Sequence, residues 1–102
     1  MKISFDYDGV LSTRPGQALA SIKMKQGHLV YIVTARHWKE NEDVLATAKE
    51  LGIPKARIYF TDGVDKWHTI KRIGIQMHYD NNQEQVDKIR INTAAQAQLY
   101  TP

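Results

Sequence analysis

Two carboxylates stand two residues apart near the start of the chain, in Phe5-Asp6-Tyr7-Asp8-Gly9, directly after a short apolar run. On an extended backbone that spacing aims both acids to one side, where they repel unless a cation or a shared proton relieves them. Other polar residues follow apolar runs in the same way: Thr34 after Leu29–Val33, Thr61 and Asp62 after Ile58–Phe60, and Asp80 after Met77–Tyr79. Asp and Asn are ordinary turn formers, so a single such position carries little weight. Their recurrence at four run ends points to one shared site. A calcium loop does not account for it, because that pattern requires an acid or amide at Val10, glycine at Leu11 and glutamate at Gln17. The glycines at 9, 16, 27, 52, 63 and 74 fit neither dinucleotide-binding nor P-loop spacing. With no cysteine, thiol nucleophiles, disulfides and Cys-ligated metals are excluded. The four histidines are scattered without metal-ligand spacing, and His28 and His78, close to or inside strands, read as structural.

The elements that must position these residues alternate along the chain. Lys2–Phe5 reads as a strand. Pro15 and Gly16 open a helix whose Ala18, Leu19 and Ile22 share a face, with Gly27 as its stop. Leu29–Val33 is a continuous apolar run suited to a strand buried on both faces. Glu40 and Glu42 suit a helix N-terminus, Val44, Leu45, Ala48 and Leu51 recur at helical spacing, and Gly52 and Pro54 end the segment. Ile58–Phe60 gives a third strand, Lys66 to Ile73 a third helix closed by Gly74, and Met77–Tyr79 a fourth strand. Beyond it the signal thins: 86–91 holds a helix remnant and a fifth strand, and 93–102 reads as a loosely ordered tail with few anchors. The expectation is a single α/β domain over 1–102, a three-layer Rossmann-like parallel sheet of about five strands with helices on both faces. Ligands of such sheets bind beyond the carboxyl ends of the strands, where the polar residues gather.

The order of these residues resembles the haloacid dehalogenase (HAD) superfamily. Phe5-Asp6-Tyr7-Asp8-Gly9-Val10-Leu11 is similar to its first motif, hydrophobic-Asp-x-Asp-Gly-x-hydrophobic. Val30-Tyr31-Ile32-Val33-Thr34-Ala35-Arg36 is similar to the second, Lys66 matches the third, and Gln76-Met77-His78-Tyr79-Asp80-Asn81 matches the fourth. The likeness spans about residues 2–82. It departs at Asn81, where many members carry a second acid; the neighbouring Asn82 offers a substitute. A receiver domain, the other small parallel α/β unit built on acids, a hydroxyl and a lysine, has these groups in a different order.

The resemblance implies a magnesium-dependent phosphomonoesterase. Asp6 would be the nucleophile that forms an aspartyl-phosphate, and Asp8 the acid and base for leaving group and water. Asp6, Asp80 and the Asp8 main-chain carbonyl would hold Mg²⁺. The Thr34 hydroxyl and Ala35 amide would bind phosphoryl oxygens, and Lys66, at a helix start where Lys71 lies deeper, would balance charge. Between the motifs the chain leaves room for one helix and one strand at a time, so the expectation is a capless, near-minimal core.

The substrate side is less constrained. Arg14, Arg36, His37, Trp38, Trp67 and His68 follow the motif residues and mix basic with aromatic groups, a composition that could pair phosphates and stack bases at a nucleotide or a nucleic-acid 3′-phosphate. Arg36 and His37, beside Thr34 and Ala35, are the expected substrate contacts. A formal charge of +3 agrees with an anionic partner and equally with a lysine-rich solvated surface. A phosphorylated sugar or protein is the rival substrate, and a binding or regulatory module with lost catalysis the non-enzyme rival, favoured by Asn81. Asp6 and Asp8 interrupt any signal-peptide core, no run has membrane-helix length, and the absence of cysteine suits a reducing cytoplasm.

Overall fold

The computed structural model describes residues 1–101, and within them strands and helices alternate. The elements are β1 (Lys2–Phe5), α1 (Arg14–Lys25), β2 (Leu29–Thr34), α2 (Glu42–Leu51), β3 (Ile58–Phe60), α3 (Trp67–Ile73), β4 (Met77–Asp80), α4 (Gln83–Asn92) and β5 (Gln96–Leu99). All five strands form one parallel sheet in the order β3-β2-β1-β4-β5.

This order follows from the handedness of the connections. From β1 the chain steps outward through β2 to β3, then returns across β1 to place β4 and β5 on its other side. Right-handed crossovers in opposite directions put their helices on opposite faces of the sheet. The core is accordingly divided. Ile3, Phe5, Val30 and Ile32 pack with Ala20 of α1 and with Val44 and Ala48 of α2, whereas Tyr31 and Ala97 pack with Ile70 of α3 and with Val86 and Ile89 of α4. The expected three-layer, Rossmann-like α/β fold is therefore the observed one. Its direction reverses at β1 and β4, and the carboxyl ends of those strands flank the crevice in which ligands of such sheets bind.

The expectation for the C-terminal stretch is corrected. Residues 96–99 are a strand rather than a loosely ordered tail, paired with β4 in the register Met77↔Gln96 through Asp80↔Leu99. The Tyr100 N–H continues the ladder to the Asp80 carbonyl at 2.8 Å. Small side chains account for the weak signal: Ala95 and Ala97 are buried but bring little apolar bulk, and the intervening glutamines lie on an exposed edge. The preceding helix is also longer than its apolar residues suggest, because Asn82 caps it by accepting from the Glu84 and Gln85 N–H groups.

Candidate active site

The loop after β1 is a tight turn over Tyr7–Leu11, closed by Leu11 N–H to the Asp6 carbonyl at 3.2 Å and Ser12 N–H to the Tyr7 carbonyl at 2.9 Å. Val10 and Leu11 anchor it in the core. Gly9 has φ +80, and a Cβ there would stand 2.1 Å from Asn81 Nδ2, so this glycine lets the β1 loop lie against the β4 loop. Gly16 does the same for α1, since its Cβ would meet the Val10 carbonyl oxygen at 1.9 Å.

Three of the expected residues converge in the crevice. Lys66 Nζ lies 2.9 Å from Asp6 Oδ1 and 2.7 Å from Asp80 Oδ2, and all three side chains are buried. The Lys66 backbone is held in turn by its N–H donating to Gln85 Oε1 at 3.1 Å, and Gln85 Nε2 donates to Asp65 Oδ1 at 3.1 Å. The two oxygens of Asp6 differ. Oδ1 also accepts the Tyr7 N–H at 2.9 Å, whereas Oδ2 has no hydrogen-bond partner among the described residues. The adjoining cavity, of about 300 Å³, is lined by Asp6, Asp8, Ala35, Lys66, Asp80 and Asn81, with Gly63 and Val64 on the β3 side and Asn82 and Gln85 on the α4 side.

One ammonium shared by two carboxylates leaves this buried cluster with an excess negative charge. Burial raises the Asp6 carboxyl to about 6, with Lys66 opposing and the Asp80 charge reinforcing the shift. Asp80 moves the other way: burial disfavours its charge, but the His78 hydrogen bond and Lys66 outweigh that penalty and hold it below the usual carboxylate range. Behind Asp80 lies a further buried polar pair. His78 Nε2 is 2.8 Å from Asp80 Oδ2, and His78 Nδ1 is 2.6 Å from Ser4 Oγ. Burial pushes the His78 imidazole down more strongly than the Asp80 contact raises it.

The other expected residues are differently placed. The Asp8 side chain, 58% exposed, is gripped by Arg36, whose Nε and Nη2 donate to Oδ2 and Oδ1 at 2.9 and 2.7 Å. Arg36 Nη1 also donates to Asp43 Oδ1 at 2.5 Å, and the guanidinium lies 5.0 Å from the Tyr7 ring centroid. Its hydrogen bonds to Asp8 and then to Asp43 raise the Arg36 pKa further, while Arg36 lowers that of Asp43. Arg36 is thus occupied by protein carboxylates. Thr34 is buried at the end of β2, where its Oγ1 accepts the Arg36 N–H at 3.3 Å; Ala35 reaches the cavity wall. His37 stacks at a tilt on Trp38, with ring centroids 5.5 Å apart, outside the residues that line the cavity.

No three His, Asp or Glu side chains converge as a ready metal set among the described residues. The reason is local: Lys66 stands between Asp6 and Asp80, and Asp8 turns to Arg36. The available donors are still hard oxygens with surplus negative charge, chemistry that fits a divalent cation held by carboxylates and a main-chain carbonyl. Asn82 is not a substitute ligand, because its side-chain oxygen caps α4.

Sequence reasoning passed over Asp43, Gln85 and Ser4, and read His78 as structural only. Polar residues inside otherwise apolar strands were the available signal for Ser4 and His78; Gln85 and Asp43 stand on polar helix stretches that give none. Comparison with protein-family models finds no match, and comparison with curated proteins finds none either.

Proposed function

We propose that the protein is a phosphomonoesterase of the HAD type, hydrolysing a phosphate ester through an aspartyl-phosphate on Asp6. The observation that carries this reading is the asymmetry of Asp6: one oxygen is tied to Lys66 and the Tyr7 N–H, and the other is unpartnered beside a polar cavity at the β1/β4 switch point. A carboxylate held by one oxygen and free at the other is oriented for attack. In the first step Asp6 Oδ2 bonds to phosphorus as the P–O bond to the leaving group breaks, and Asp8 gives that oxygen its proton. In the second, Asp8 takes a proton from water as the water oxygen attacks phosphorus, which frees phosphate and restores Asp6. To act first as an acid, Asp8 must leave Arg36 and take up a proton from solvent, and the second step returns that proton to it; an incoming phosphoryl group is an alternative partner for the guanidinium.

Lys66 offsets charge on Asp6 and on the phosphoryl oxygens, and Ala35, which lines the cavity, would offer its amide to those oxygens. Asp6, Asp80 and the Asp8 carbonyl would hold Mg²⁺, which would screen the nucleophile from the phosphate charge. For the substrate, Trp38 is 59% exposed, and Lys39 Nζ lies 5.6 Å from its ring centroid. An exposed indole flanked by a cation favours a nucleotide or a nucleic-acid 3′-phosphate over a phosphorylated sugar. The Arg36–Asp8 pair favours a second reading, a phosphoryl-binding module in which Asp8 stays engaged and turnover is lost.

Hydrolysis of p-nitrophenyl phosphate with and without Mg²⁺, with Asp6→Asn as control, separates the two. Magnesium-dependent release that disappears in the variant supports the enzyme. Absence of release from this ester, from 3′-phosphorylated oligonucleotides and from phosphorylated sugars and peptides rejects it.

A further inference from the structure

Ser4 and His78 are polar residues deep in the sheet, with no role in the steps above. They are direct cross-strand partners on β1 and β4, and both are fully buried. The side chains continue a single path of contacts: Ser4 Oγ to His78 Nδ1, His78 Nε2 to Asp80 Oδ2, Asp80 Oδ2 to Lys66 Nζ, and Lys66 Nζ to Asp6 Oδ1. An ionised carboxylate only accepts hydrogen bonds, so the imidazole proton belongs on Nε2. Nδ1 then carries a lone pair, and the Ser4 hydroxyl donates to it. Asp80 Oδ1 is fixed separately by the Asn82 N–H at 3.0 Å. The Asp80 carboxylate is thereby locked in rotation, and Lys66 is presented to Asp6 in one geometry.

We propose that Ser4 and His78 are positioning residues: Ser4 holds the ring of a His78 kept as the Nε2–H tautomer by Asp80, and His78 orients Asp80 and, through Lys66, sets the direction of Asp6. The proposal rests on the reading of Asp6, Asp80 and Lys66 as the active site. A sheet-stabilising pair with no part in the site would show the same contacts, so the test must separate stability from positioning. Gln at position 78 can donate from Nε2 and accept from Ser4, whereas Leu can do neither. Removing both polar partners with Ser4→Ala/His78→Leu leaves no unpaired group between them, so the cost to the fold is confined to the hydrogen bond that Asp80 loses, and Asp80 keeps Lys66.

The expected results are as follows. Nitrogen NMR of the parent shows His78 protonated at Nε2 and not at Nδ1, together with a slowly exchanging Lys66 ammonium. His78→Gln keeps the ammonium signal and turns over within about threefold of the parent. The double variant stays folded with a Tm lowered by the hydrogen bond that Asp80 loses, loses the ammonium signal, and falls in kcat by about 10–100-fold, the range typical of outer partners that orient site ligands. Ser4→Ala alone keeps His78 protonated at Nε2, because Asp80 can only accept, and weakens the ammonium signal by leaving Nδ1 unpaired and the ring free to tilt. A His78 protonated at Nδ1 in the parent, or a double variant with parental kcat and an intact ammonium signal, overturns the proposal. If the parent has no phosphatase activity, the function is wrong, and the NMR results still decide the positioning claim.

Discussion

Replacing Asp6 by Asn should stabilise the fold while ending turnover. Asp6 is only 6% exposed, and its carboxyl is raised to about 6, first by burial, against an unperturbed 3.8. A carboxyl that binds its proton more tightly folded than unfolded costs stability once both states are ionised. The sign follows from linkage: between about pH 4 and 6 the folded chain holds the extra proton, so stability falls as pH rises through that window. A tenfold change in proton affinity corresponds to about 1.4 kcal/mol, so the full cost approaches about 3 kcal/mol above pH 6. Asn has almost the same shape, can accept the Tyr7 N–H, and leaves Lys66 paired with Asp80. For a domain of this size, about 1–3 kcal/mol raises Tm by about 5–15 °C. Thermal unfolding of parent and Asp6→Asn in EDTA at pH 7.5 and pH 4.5 measures it directly. The variant should be the more stable at pH 7.5, and its advantage should shrink at pH 4.5. A variant less stable than the parent at pH 7.5, or a difference that ignores pH, would refute the argument that Asp6 is a destabilised buried carboxylate.

Lys66→Met should do the opposite, leaving two buried carboxylates without their cation; a loss of about 3–5 kcal/mol is the scale for breaking a buried pair, and denaturant unfolding will read it. Gly9→Ala should cost about 1–2 kcal/mol for the left-handed backbone alone, with more from the clash at Asn81, and a loss well below 1 kcal/mol would mean that the two loops part easily. Arg36→Ala should change stability by less than about 1 kcal/mol, because its partners Asp8 and Asp43 are largely exposed, yet should raise KM for a phosphate ester by at least tenfold. An unchanged KM would remove Arg36 from the substrate contacts.

Most of the fold was legible because local signals agreed with the global arrangement. β1 and β3 have the bounds their apolar runs suggest, and Gly52 and Gly74, both left-handed, end α2 and α3 where the pattern stops. β5 was obscure because a strand built on alanine and glutamine buries little and is held mainly by its ladder to β4. At the site, strand-end position pointed to Asp6 and Asp80, the family resemblance added Lys66 at a helix start, and the parallel topology brings the three together. What the sequence could not convey is side-chain pairing. Asp8 and Arg36 are 28 residues apart, and their bidentate bond follows from how the β1 and β2 loops sit together. Ser4 and His78, 74 residues apart, become neighbours only through the β1–β4 register.

The central claim is that Asp6 carries the phosphoryl group. Acid quenching of the protein during turnover of a phosphate ester with Mg²⁺, followed by mass spectrometry of its peptides, tests this most directly. The account predicts one phosphoryl group on the peptide containing Asp6, absent in Asp6→Asn and in EDTA. Sustained hydrolysis with no phosphorylated Asp6 peptide, or hydrolysis that survives Asp6→Asn, would contradict it.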